Sequence, residues 1–177
     1  MIVAVSSVVV LSLSLLGLHP AVLAARVSRW HQLPPNIRTT DDLKPIIEDL
    51  LERSPTLRQQ AARIAIARQT WVSVTLSSGR LPSLTRARST ARRYHTGLLV
   101  VDVEIPPASQ DFAELLAHEL EHVTEFVDGV DFKKLAKTRN AGIVQCGSDG
   151  SFETARAQKA GRTVKLEVDR PRVNYHP

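Results

Sequence analysis

From Thr40 onward, the spacing of apolar residues changes period several times. Leu43, Ile46, Ile47, Leu50 and Leu51 recur at helical intervals, which predicts an amphipathic helix beginning near "TTDDL". Pro45 belongs in a first turn, so Asp42 is the expected cap. "SPTLRQQAARIA" predicts a second helix, with Ser54 as N-cap and Pro55 at the first helical position. The period then drops to two. In "WVSVTL", Val72, Val74 and Leu76 alternate with Ser73 and Thr75, as in a half-buried strand. In "GLLVVDVEIPP", Leu99, Val101, Val103 and Ile105 line one face, and Pro106-Pro107 ends the run.

A helical period returns from about Ser109 to Asp128, with Gly129 as a stop. Phe112, Leu116, Leu120, Val123 and Val127 mark its apolar face. Residues 130 to 150 read as a connection with a short helix at "FKKLAK". Ser151 caps the last predicted helix, "FETARAQKAGRTVKLEV", whose inward stripe is Glu153, Ala157, Ala160, Val164 and Val168. Helix, helix, strand, strand, helix, helix is an α+β order. Residues 26–38 form an irregular lead-in and "DRPRVNYHP" a tail.

The first 25 residues contain no Asp, Glu, Lys or Arg, and "AVLAA" carries small residues suited to a signal peptidase. The expectation is a signal peptide over 1–24, export to the envelope or medium, a single domain over 25–177 and no retained membrane span; the rival is a membrane anchor. Composition is that of a folded domain, with 43% hydrophobic and 23% charged residues. One cysteine, Cys146, excludes an internal disulfide and is expected to be a buried thiol. The net charge of +5 owes much to residues 80–95, with Arg80, Arg86, Arg88, Arg92 and Arg93. This stretch reads as a solvated basic loop able to touch an anionic surface. It lacks the interleaved aromatics of a single-strand nucleic-acid binder.

The chemistry concentrates in "HELEH". His118 and His122 lie about 40° apart on one helix face and about 6 Å apart in rise. Two imidazoles so placed can converge on one tetrahedral ion, while Glu119, about 100° round from His118, suits a general base acting on water. The histidines point roughly away from the apolar face. A third ligand comes from Glu125, Asp128, Asp131 or Glu153. Glu125 shares the histidine face. Asp128 lacks the glycine that the longer HExxHxxGxxH/D pattern needs at position 125. Glu153 has the strongest physical case, because a carboxylate heading a stripe of small apolar residues is costly unless it is paired or binds a cation.

With "HELEH" at 118–122 and "FET" at 152–154, the sequence resembles zincin metallopeptidases of the thermolysin-like, or gluzincin, type. Over roughly residues 40–168 it is also similar to small exported bacterial proteins with that helix–strand–HExxH–helix order, through "SPTLRQQ", "AHELEH" and "FETARAQKAGRTV". The resemblance implies a small zincin-like domain, Zn2+ held by His118, His122 and Glu153, Glu119 as general base, and hydrolysis of a peptide or protein substrate. No residue clearly matches the family's transition-state stabiliser; Tyr94, His95, Tyr175 and His176 are candidates by residue type alone. An extended substrate is expected to pair with an open edge of the strand at 98–104. The alternatives are a non-catalytic exported metal- or envelope-binding protein on the same scaffold, and a basic nucleic-acid-binding domain.

Overall fold

A computed structural model describes residues 32–78, 86–107, 110–138, 142–146 and 151–171. The expected signal segment, Arg80, Tyr175 and His176 lie outside these residues, as does the side chain of Cys146. Among the described residues the chain is a mixed α/β structure with five helices and a small mixed sheet, within the expected α+β class. The order is β1 (Ile37–Thr39), α1 (Lys44–Arg53), α2 (Pro55–Ile66), β2 (Thr70–Leu76), β3 (Arg88–Arg93), β4 (Leu99–Ile105), α3 (Phe112–Val127), α4 (Phe132–Leu135), β5 (Ile143–Cys146), β6 (Ser151–Thr154) and α5 (Ala155–Val168). No helix among these residues is long and apolar enough to cross a membrane.

The main sheet has the order β1-β2-β4-β3, with β1, β2 and β4 parallel and β3 antiparallel to β4. Its inner face is the expected alternation: Val72, Val74, Leu99, Val101, Val103 and Ile105 are all buried. Each such side chain contributes about 1.5–3 kcal/mol when fully buried. β1 forms within the stretch expected to be irregular, and Thr39 fixes it to β2 by donating from Oγ1 to the Val74 carbonyl at 2.8 Å.

β3 replaces the expected basic loop. Arginine and serine hide the strand in the sequence, because its outward residues are held by charge and not by apolar contact. Arg88 stands opposite Glu104 and pairs with it, Nε to Oε2 at 3.0 Å. Arg92 pairs with Asp102. Cross-strand pairs of this kind add about 0.2–1 kcal/mol each. Since β3 covers one side of β4 and β2 the other, β4 has no open edge, and the edge strands of the sheet are β1 and β3.

α3 lies between the sheet, α2 and α5 and is buried almost all round. Leu115, Leu116, Ala117, Leu120 and Val123 are buried, and so are Glu119, Glu121, His122, Thr124 and Glu125. The expected division into an apolar face and an open histidine face is therefore too simple, and Phe112 and Val127 are only partly buried. At the C-terminal end Gly129 takes φ +75°. That left-handed turn lets the Val130 N–H donate back to the Glu125 carbonyl at 3.0 Å.

α5 carries the predicted stripe of Ala157, Ala160, Val164 and Val168, all buried, with Gly161 among them. A Cβ on Gly161 would lie 2.9 Å from the Glu114 carbonyl oxygen and 3.4 Å from His118 Cβ, so only glycine lets α5 come this close to α3. The far end of α5 is tied to the α1–α2 corner. Thr56 Oγ1 donates to Glu167 Oε1 at 2.8 Å, and Ser54 also bonds Glu167. Ser54 caps α2 as expected, accepting from the Leu57 N–H.

Three boundaries differ from expectation. α1 begins at Lys44 after Leu43, so Asp42 is not its cap, and Ile46 faces solvent. Ser151 opens a strand, and the cap of α5 is Thr154, whose Oγ1 accepts from Ala157 N at 2.9 Å. Glu153 therefore projects from β6 and not from the helix. The β5–β6 hairpin, absent from the sequence reading, is what delivers it.

Candidate metal centre

His118 and His122 sit one turn apart on α3, with ring centroids 5.0 Å apart. β6 runs into α5, and α5 packs on α3 beside His118, so Glu153 arrives over the same turn. Glu153 Oε1 is 3.2 Å from His118 Nε2. One ligand atom from each of His118, His122 and Glu153 can be chosen so that all lie within 4.8 Å of one another.

Two imidazole nitrogens and one carboxylate oxygen are the donor set of a catalytic zinc site with a fourth position for water. Ligands about 2.0–2.1 Å from a tetrahedral ion stand about 3.4 Å apart. The His118–Glu153 separation already matches that edge, and the other separations are no more than 4.8 Å. The residues thus fit the metal that the sequence motif implies.

Glu125 is not a ligand in this arrangement. It is 3% exposed, and its Oε2 lies 2.9 Å from His122 Nδ1 and 3.2 Å from Thr154 Oγ1, which donates to it. A hydrogen bond at Nδ1 leaves His122 Nε2 for an ion. Thr154 is also the α5 cap and follows Glu153 directly, and its N–H donates to Glu153 Oε1 at 3.0 Å. One threonine therefore connects the orientation of His122 to the placement of Glu153. Asp128 is held by Arg63 and Arg156, the latter at 2.9 Å. Asp131 caps α4 through the Lys134 N–H. Of the four third-ligand candidates, Glu153 alone joins the histidines.

Glu119 is buried beside them, and Ser89 of β3 lines the same cleft. Burial pushes its pKa up, against the opposing pull of His122 and Ser89. Burial also raises Glu153. It depresses His118 to about 4, with the neighbouring His122 adding to the effect. For His122, burial works downward, but the Glu125 hydrogen bond and the charges of Glu119, Glu125 and Glu153 prevail and raise it. The two rings are thus pushed in opposite directions, His118 down and His122 up.

The site forms the floor of a cleft of about 910 Å³. β3 supplies one wall through Ser89 and Ala91, and α4, α5 and β6 supply the other. Phe132 packs edge-on to His122 and stacks on Phe152 at 5.8 Å. Tyr94 and His95 lie in the exposed β3–β4 turn and do not line the cleft. Ser89, Thr154 and Phe132 were missed from the sequence. Glu125 is a possible ligand by sequence, and its spacing of three from His122 is the one local sign of the orienting role. No protein-family model, curated protein or solved structure matches the chain, so the site's own residues carry the functional reading.

Proposed function

We propose that this protein is a zinc-dependent metallopeptidase of the gluzincin type, with His118, His122 and Glu153 as metal ligands and Glu119 as general base. The observation that carries the reading is the convergence of three zinc-type donors beside a buried glutamate at the floor of an open cleft. A bound zinc supplies Lewis acidity at the substrate carbonyl and acidifies water to a pKa of about 7. Glu119 accepts the water proton at its carboxylate and delivers it to the leaving amine. Burial raises the pKa of this carboxyl, which favours its taking up the proton. Glu125 keeps the His122 ring in position, and Thr154 keeps Glu153 beside it.

The free edge of β3 replaces the expected edge of β4 as the place for an extended peptide to pair. Arg88 and Arg92 of β3 are matched by Glu104 and Asp102, and Arg86 just before it by Asp111, which supports reading residues 86–93 as cleft wall and not as a nucleic-acid or anionic-surface site. Export under the signal segment remains part of the proposal.

Metal analysis and peptide hydrolysis test it together. Wild type binds one zinc, Glu153→Ala loses it, and Glu119→Gln keeps it while hydrolysis falls about 10²–10⁴-fold. Full zinc in Glu153→Ala overturns the ligand set. Undiminished turnover in Glu119→Gln overturns the base, and zinc without cleavage in wild type favours a non-catalytic binding protein.

A further inference from the structure

The cleft has a direction. At one end, Arg86 of the β3 wall bonds Asp111 Oδ2 at 2.7 Å and approaches Glu114 at 4.0 Å. At the other, Arg93 donates to the Phe126 carbonyl at 2.8 Å. β3 therefore runs alongside α3 in the same sense, and the metal ligands lie between the two anchors. From Glu114 to Phe126 the helix rises about 18 Å, at about 1.5 Å per residue. An extended peptide covers that distance with about five residues.

Cations stand at both ends of this path. Arg162 of α5 follows Gly161, which lies against Glu114 and His118, so it marks the Arg86 end. Lys133 of α4 follows Phe132, which packs on Phe126, so it marks the Arg93 end. All four line the cleft. Arg86 is compensated by Asp111. Arg93, Lys133 and Arg162 form no ion pair with a carboxylate among the described residues, and Arg162 and Lys133 are exposed. Asp131 opposes this charge at the Lys133 end, where Lys133 and Arg93 outnumber it. Glu114 at the other end is engaged by Lys165.

We propose that the cleft selects peptides bearing carboxylates on both sides of the bond to be cut, two or three residues from it. Arg162 meets one carboxylate, and Lys133 with Arg93 meets the other. This rests on the peptidase reading, and the test separates the two.

A quenched-fluorescence peptide series would place Glu, Gln or Lys at each flank. In parallel, binding of the same peptides to zinc-loaded Glu119→Gln protein would be read by anisotropy. Each glutamate should improve kcat/KM and binding about fivefold over glutamine at low salt, and the gain should shrink as salt rises. Arg162→Gln should abolish the preference at one flank only, and Lys133→Gln should weaken it at the other only, with Lys133→Gln/Arg93→Gln together abolishing it there. Peptides that end at a flank, as free acid or amide, show whether a terminal carboxylate serves as well as a side chain. Equal cleavage and equal binding of all charge variants would overturn this inference and leave the peptidase reading intact. If no peptide is cleaved but acidic ones bind tighter through Arg162 and Lys133, the peptidase reading fails and carboxylate recognition stands.

Discussion

Replacing Glu125 by alanine separates an orienting group from a ligand. In the structure this carboxylate is almost wholly buried and holds His122 Nδ1 at 2.9 Å and Thr154 Oγ1 at 3.2 Å. Without it the His122 ring can rotate and its outer nitrogen loses a partner. Loss of such a partner costs about 10–100-fold in metal affinity, or about 1.4–2.8 kcal/mol. The folded protein also loses two hydrogen bonds to a charged acceptor, each worth about 1.5–3 kcal/mol. Release of a buried charge offsets part of this, so a net loss of about 1–3 kcal/mol is expected without metal. Glu125→Gln retains a carbonyl acceptor for His122 and should stay within about tenfold of wild-type affinity. Zinc competition against a chromophoric chelator at neutral pH measures affinity, and thermal melts of metal-free protein measure stability. Wild-type affinity in Glu125→Ala would refute the orienting role. Complete loss of zinc, equal to that of Glu153→Ala, would instead make Glu125 a ligand.

Three further outcomes follow from the same geometry. Gly161→Ala places a methyl 2.9 Å from a helix carbonyl, so crowding of about 1–3 kcal/mol should exceed the roughly 1 kcal/mol gained in helix propensity; an unchanged or raised melting temperature would contradict the close approach. Thr154→Val removes the α5 cap and one partner of Glu125, and denaturant unfolding should show a loss of about 0.5–2 kcal/mol together with weaker zinc binding. Asp128 is opposed by burial but held below its ordinary pKa of 3.8 by Arg63 and Arg156. A depressed carboxylate stabilises above its unfolded value and loses that contribution as pH falls. Asp128→Asn should therefore cost roughly 1 kcal/mol at neutral pH, and the difference should shrink progressively as pH falls below the ordinary value of 3.8; a pH-independent difference would rule out the charge.

The sequence determined what depends on local period and local chemistry. Helical spacing gave α2, α3 and the small stripe of α5. Alternation gave β2 and β4, and turn chemistry gave Ser54 as a cap and Gly129 as a stop. "HELEH" fixed two nitrogens and a carboxylate within one helical turn, because their separation depends on helix geometry alone. Tertiary structure decided the rest. β3 is a strand because its arginines find Glu104 and Asp102 on a neighbour, a partnership that single-chain periodicity does not encode. Glu153 reaches His118 from a hairpin instead of a helix, while Glu125, closer along the chain, is turned into an orienting group by Thr154. Which carboxylate meets the ion depends on how α5 seats against α3, and that is a property of packing between elements distant in sequence.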